Sequence, residues 1–143
     1  MSPRLGEHEM QQWIAWKRAS EAVMASVVSA ITAQTGLSSA DFSVLTRVVE
    51  EGHGSIRQQR LSDDLGWERS RLSRQLSRME DRGLVRREGD TAARRITATA
   101  RGRELVAAAR EAHAAAVRHA LLDVAAADAP FWPTVDALGG PRP

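Results

Sequence analysis

The chain has 143 residues, 43% of them hydrophobic and 27% charged, with a formal net charge of +2. These are the proportions of one folded domain with a modest core, not of a disordered segment. The absence of cysteine excludes disulfides, thiolate zinc sites, iron–sulfur clusters and thiol redox sensing. No apolar run reaches transmembrane length, and the polar stretch from Met1 to Met10 lacks a signal-peptide core. The expectation is a cytoplasmic protein with no membrane partner.

In chain order, helical spacing of Met10, Trp13, Ile14, Val23, Val27 and Ile31 predicts a first helix from about Glu7 to Gln34, stopped by Gly36. At 1.5 Å per residue it is about 40 Å long, too long to cover one small core by itself. Ser38 as N-cap and Asp41 in the first turn open a second helix with the apolar stripe Phe42, Leu45, Val48 and Val49. Ser55-Ile56-Arg57-Gln58 fits a capping box, so a third helix is expected from Ser55, broken by Gly66. A fourth follows at once, from Glu68 to Arg82, with Gly83 behind it. Its residues Leu72, Leu76 and Met79 share one face, and the opposite face carries Ser70, Arg74, Ser77 and Arg78.

Leu84 to Arg87 and Ile96 to Thr99 read as paired strands around a charged tip, Glu88 to Arg95, with turn formers Gly89 and Asp90. An alanine-rich helix is expected from Arg101 to about Ala127, then a short one around Phe131 to Leu138 beyond Pro130. The tail from Gly139 to Pro143 is expected to be disordered.

Charge is unevenly placed. From His53 to Arg103 there are 13 arginines and 7 acids, a net +6, while the remainder has 7 basic and 11 acidic residues, a net −4. A positive segment inside an acidic chain fits a nucleic-acid partner, although an arginine-rich solvated surface gives the same count. The order helix, short turn, helix, hairpin fits a helix-turn-helix, whose second helix enters the major groove of duplex DNA. That helix needs one apolar face to grip the domain and one polar face to read bases. Arginine suits the polar face because its fork bonds guanine O6 and N7 together, and serine fits the tight groove. Arg69, Ser70, Ser73 and Arg74, in the half that enters deepest, are the leading contacts; Arg71 and Arg78 are assigned to phosphate.

The stretches Leu37 to Leu45, Leu61 to Gly66, Arg69 to Leu76, Met79 to Arg87 and Thr99 to Gly102, in this order and spacing, resemble the MarR family of regulators. The resemblance covers about residues 7 to 138. It implies a mainly α (α+β) fold of one domain, with a winged helix-turn-helix over 38–100. It implies helical dimerisation regions over 7–34 and 101–138. It also implies a cytoplasmic homodimer that represses from a pseudo-palindromic operator and is relieved by a small aromatic or anionic effector. Members carry Asp-x-Arg in the wing, where the arginine enters the minor groove. Here Asp90 is followed by Thr91 and Ala92, which leaves Arg94 or Arg95 for that role, with Asp90 able to pair with Arg94.

Trp13, Trp16, Lys17 and Arg18 on the first helix are either packing residues or an effector pocket between the dimer helices and the winged module. The four histidines have no metal-site spacing and no catalytic motif is present, so neither a metal, a cofactor nor an enzyme is expected. The alternative function is a winged-helix module that binds another protein, with DNA binding weakened by Ala92.

Overall fold

A computed structural model describes residues 3–91 and 93–141. The described chain forms helices α1 (Glu7–Thr35), α2 (Ser39–Thr46), α3 (Gln58–Leu65), α4 (Arg69–Asp81), α5 (Ala100–Val117) and α6 (Phe131–Gly139). Strands β1 (Ser55–Arg57), β2 (Val85–Glu88) and β3 (Arg95–Ala98) make one antiparallel sheet in the order β1-β3-β2. This is a mainly α winged helix-turn-helix. Its residues fall into two compact units, one of residues 30–112 and one of residues up to 29 with those from 113 onward.

The central unit holds the core. Leu45 and Val48 from α2 and the π turn after it, Leu61 from α3, Leu72 and Leu76 from α4, and Ile56 and Ile96 from the sheet are all 2% exposed or less. The predicted inner face of α4 is therefore the buried one. The α2 N-terminus is a full capping box: Asp41 N–H donates to Ser38 Oγ at 3.0 Å and Ser38 N–H to Asp41 Oδ2 at 2.9 Å. A π turn over Arg47–Glu51 extends this helix, and Glu50 near its end holds Arg110 of α5 in a two-point ion pair.

The third helix departs from expectation. Ser55 to Arg57 is strand, and α3 starts at Gln58 with no side-chain cap. Residues 55, 56 and 57 pair with Thr97, Ile96 and Arg95 across the open edge of β3. That pairing also puts Ile56 into the core, at 2% exposed. The Ser55 hydroxyl, expected as a cap, instead accepts from Arg95 Nε at 3.1 Å and Thr97 Oγ1 at 3.3 Å.

Residues up to 29 and from 113 onward form the second unit, which is short of buried apolar side chains. Among the described residues Val27 is its one buried hydrophobic, whereas every exposed large hydrophobic of the chain lies in it, including Met10, Trp13, Ile14, Trp16, Val124 and Phe131. The alanine-rich helix ends sooner than the expected Ala127. It loosens into a π turn over Arg118–Leu122 and then leaves helical geometry. The Trp132 indole N–H donates to Ala126 O at 3.0 Å and holds the chain in that turn. Of the tail expected to be disordered, Gly139 closes α6, and residues 142 and 143 lie outside the described set.

Candidate nucleic-acid interface

The turn between α3 and α4 is closed by backbone geometry. Gly66 sits at φ 65°, where a side chain is disfavoured. Gly66 N–H reaches Asp63 O at 3.2 Å and Trp67 N–H reaches Ser62 O at 3.2 Å, the paired bonds of a Schellman cap. The buried Ser62 hydroxyl donates to Trp67 O at 2.7 Å and fixes the next residue as well. The same motif ends α4, with Gly83 N–H to Glu80 O at 2.9 Å and Leu84 N–H to Met79 O at 3.0 Å. Both ends of α4 are thus set by the chain around them, and its outward face is held at a defined angle.

That face carries Arg69, Ser70, Arg71, Arg74 and Arg78, all exposed, with Ser73 half-buried. Two of these arginines are positioned internally. The Arg71 guanidinium stacks 4.0 Å from the Trp67 ring centroid. Arg78 donates to Gln75 Oε1 at 2.8 Å. Gln75, itself buried, donates to Asp41 Oδ1 at 2.6 Å, so Arg78 stands at the end of a relay that starts in the α2 cap. Asp41 also accepts from Arg82 at 2.7 Å. Burial alone would raise the Asp41 pKa. The hydrogen bond and charge of Arg82, with the Ser38 N–H, outweigh that and hold it below the usual carboxylate value.

The wing is tied to the end of α4. Arg87 N–H donates to Glu80 Oε2 at 2.9 Å, and its guanidinium reaches Glu80 Oε1 at 3.2 Å and Ser77 Oγ at 3.0 Å. The backbone N–H of Arg87 is the main cause that lowers the Glu80 pKa against its partial desolvation. The charges of Arg87 and Arg94 add to it. At the tip, Asp90 accepts from Ala93 N–H at 3.0 Å. That bond closes the turn at the wing tip. Ala92, the departure from the family's wing pattern, lies outside the described residues.

Between α3, α4 and the wing lies a cleft of about 820 Å³. It brings together the expected Arg69, Ser70, Ser73 and Arg94, and adds Arg57, Gln58 and Gln59, which sequence reading missed. Among the described residues no carboxylate lines it. Arg71, Arg74, Arg78 and Arg95 are not part of its wall; Arg95 is turned to Ser55 instead. Gln58 N–H donates to Arg94 O at 2.9 Å, so the first residue of α3 anchors the wing arginine. The missed trio had one available signal: Ser-Ile-Arg alternates polar, apolar, polar before a helix start. Of the four expected effector residues, Trp16 lines an apolar cavity within the terminal unit, whereas Trp13, Lys17 and Arg18 do not. Among the described residues no group of three metal-capable side chains occurs, and no helix is long and apolar enough to cross a membrane.

A family model described as a domain of unknown function (DUF7343) matches residues 37–89, less than half of the chain, and no curated protein matches. Solved structures do match. AbsC, a MarR family transcriptional regulator from Streptomyces coelicolor, is 26% identical, with a TM-score of 0.76 over 98% of this chain and 100% of its own. Sco3205, a MarR family transcriptional regulator from the same organism solved in complex with DNA, is 22% identical. Its TM-score is 0.80 over 94% of this chain and 88% of its own. CouR from Rhodococcus jostii, solved bound to p-coumaroyl-CoA, is 25% identical, with a TM-score of 0.66 over 88% of this chain and 90% of its own.

Proposed function

Given that the chain has the winged-helix fold of the MarR transcriptional regulators, we propose that it is a cytoplasmic DNA-binding transcription regulator. In this reading it acts as a homodimeric repressor on a pseudo-palindromic duplex operator. The observation that carries the reading is the cleft in which the reading helix and the wing present Arg69, Ser70, Ser73 and Arg94 together, with no carboxylate among its described lining residues. A positive concave surface beside a protruding helix matches a phosphodiester strand that passes between major and minor grooves.

In this reading α4 lies in the major groove. Arg69, Ser70, Ser73 and Arg74 face base edges there, while Arg71 and Arg78 meet phosphate. Arg57 and Arg94 hold the strand on the wing side, and Arg94 takes the place of the arginine that the family carries where this chain has Ala92. Homodimerisation is supported by the exposed apolar side chains concentrated in the terminal helices, a surface that a water-soluble monomer rarely leaves open. Two copies would present α4 about 34 Å apart, one turn of DNA. A small effector that binds a different spacing better would shift the population away from the operator-bound form.

The alternative, a protein-interaction module with weak DNA binding, draws on Ala92 alone. Selection of duplexes from a random library separates the two. The regulator reading expects enrichment of an inverted repeat with half-sites one helical turn apart, bound by two chains per duplex in sedimentation. Recovery of no shared sequence would overturn it.

A further inference from the structure

Trp67 stands in the turn between α3 and α4, and both of its backbone polar groups are taken. Its N–H donates to Ser62 O at 3.2 Å, and its carbonyl accepts from the Ser62 hydroxyl at 2.7 Å. The residue is half-buried, and the Arg71 guanidinium lies over its ring, 4.0 Å from the centroid. An aliphatic side chain could cover the turn, but it offers no π face to a cation.

Arg71 lies on a different part of α4 from the cleft residues. Arg69 and Ser73, one turn apart, line the cleft. Arg71, Arg74 and Arg78 follow i, i+3 and i+7 and form another stripe, outside the cleft wall. A helix in the major groove has a sugar–phosphate strand on either side, so this stripe borders the strand that the cleft does not hold. The arginines at its two ends are held from inside, Arg71 by Trp67 and Arg78 by Gln75. Neither hold neutralises the charge. The ion pairs among the described residues engage Arg60, Arg82, Arg86, Arg87 and Arg110 instead. An aromatic face restrains a guanidinium and leaves its N–H edge for oxygen, whereas a carboxylate would use that edge and cancel the charge. Phosphate is the same at every step of a duplex, so a preset donor gains affinity there without reading sequence.

We propose that Trp67 is a positioning residue for DNA binding: it presets Arg71 for a phosphate on the strand away from the cleft, whatever the sequence. The proposal rests on the regulator reading and adds to it a residue that acts through another. Failure of the unaltered chain to bind DNA removes both. Binding that ignores Trp67 removes this proposal alone.

The test is a double-mutant cycle on the full chain. It is read as affinity for two labelled duplexes, one of random sequence and one from upstream of the protein's own coding sequence. Trp67→Leu is expected to weaken both alike, by about two- to fivefold, the scale of an exposed cation–π contact. Trp67→Phe, which keeps an aromatic face, is expected to retain most of the affinity. In an Arg71→Ala chain, Trp67→Leu is expected to change nothing further, an outcome that a role in folding alone would not produce. Should Trp67→Leu not fold, Arg71→Lys decides. It keeps the charge but gives up the planar fork, and is expected to bind both duplexes more weakly than the unaltered chain. Binding by Trp67→Leu as tight as that of the unaltered chain overturns the proposal. So does an equal loss with and without Arg71, a loss confined to one duplex, or undiminished binding by Arg71→Lys.

Discussion

Asp41 is 3% exposed and carries a charge, a costly arrangement unless each oxygen has partners. It has three, one local and two distant: Ser38 N–H, Gln75 and Arg82. The local one was legible, because Ser-x-x-Asp ahead of an apolar stripe is a capping signal. The other two lie 34 and 41 residues away and leave no periodic trace in the sequence. Asp41→Asn keeps the shape but removes the charge that Arg82 and Ser38 N–H stabilise. The expected loss is about 1–3 kcal/mol at neutral pH, measured by denaturant unfolding. Because the folded-state pKa lies below the ordinary aspartate value, this contribution is complete above that ordinary value. It fades as pH falls through the folded value, so the gap between the two proteins should close in acid. Gly102 illustrates a different constraint. A Cβ there would collide with Leu84 O, and backbone cannot swing aside as a side chain can. Gly102→Ala is expected to cost about 1–3 kcal/mol, read as a lower Tm.

At the scale of elements, the two turns that frame α4 were readable because glycine at positive φ is a local requirement. Gly66 and Gly83 announce it in the sequence. Strand β1 was not readable. Three residues are too few for alternation to outweigh a Ser-x-x-Gln capping pattern, and the strand exists because β3 offers it an open edge. That error hid Arg57, Gln58 and Gln59 from the candidate site, since a helix from Ser55 would have aimed them differently. Their recovery makes a distinction that can be measured. Arg57→Ala should weaken binding to all duplexes alike and reduce the salt slope by about one. Arg69→Ala should instead relax preference at one base position, by about 1–3 kcal/mol. Equal effects of both variants on specific and random DNA would show that α4 does not read bases. The end of α5 was missed for a related reason. An alanine run contains no stop signal, and what turns the chain is the Trp132 indole reaching back to Ala126.

Across the whole molecule, two kinds of surface are segregated. Thirteen of the chain's arginines fall between residues 53 and 103, where the core is well packed and the cleft forms. The exposed large apolar side chains fall in the terminal helices, which bury little of their own. The first half of this division was visible in the charge count. The second was visible only as helix length, because an amphipathic stripe does not say whether its partner is the same chain or another. This segregation supports the proposed reading, in which the central unit binds DNA and the terminal helices pair with a second copy. The measurement that tests it most directly is the affinity for the duplex upstream of the protein's own coding sequence, against random duplex, across a salt series. With about six phosphates neutralised, affinity should fall roughly a thousandfold between about 50 and about 200 mM salt, and the upstream duplex should be preferred throughout. Weak binding that is equal on both duplexes and flat with salt would contradict the account.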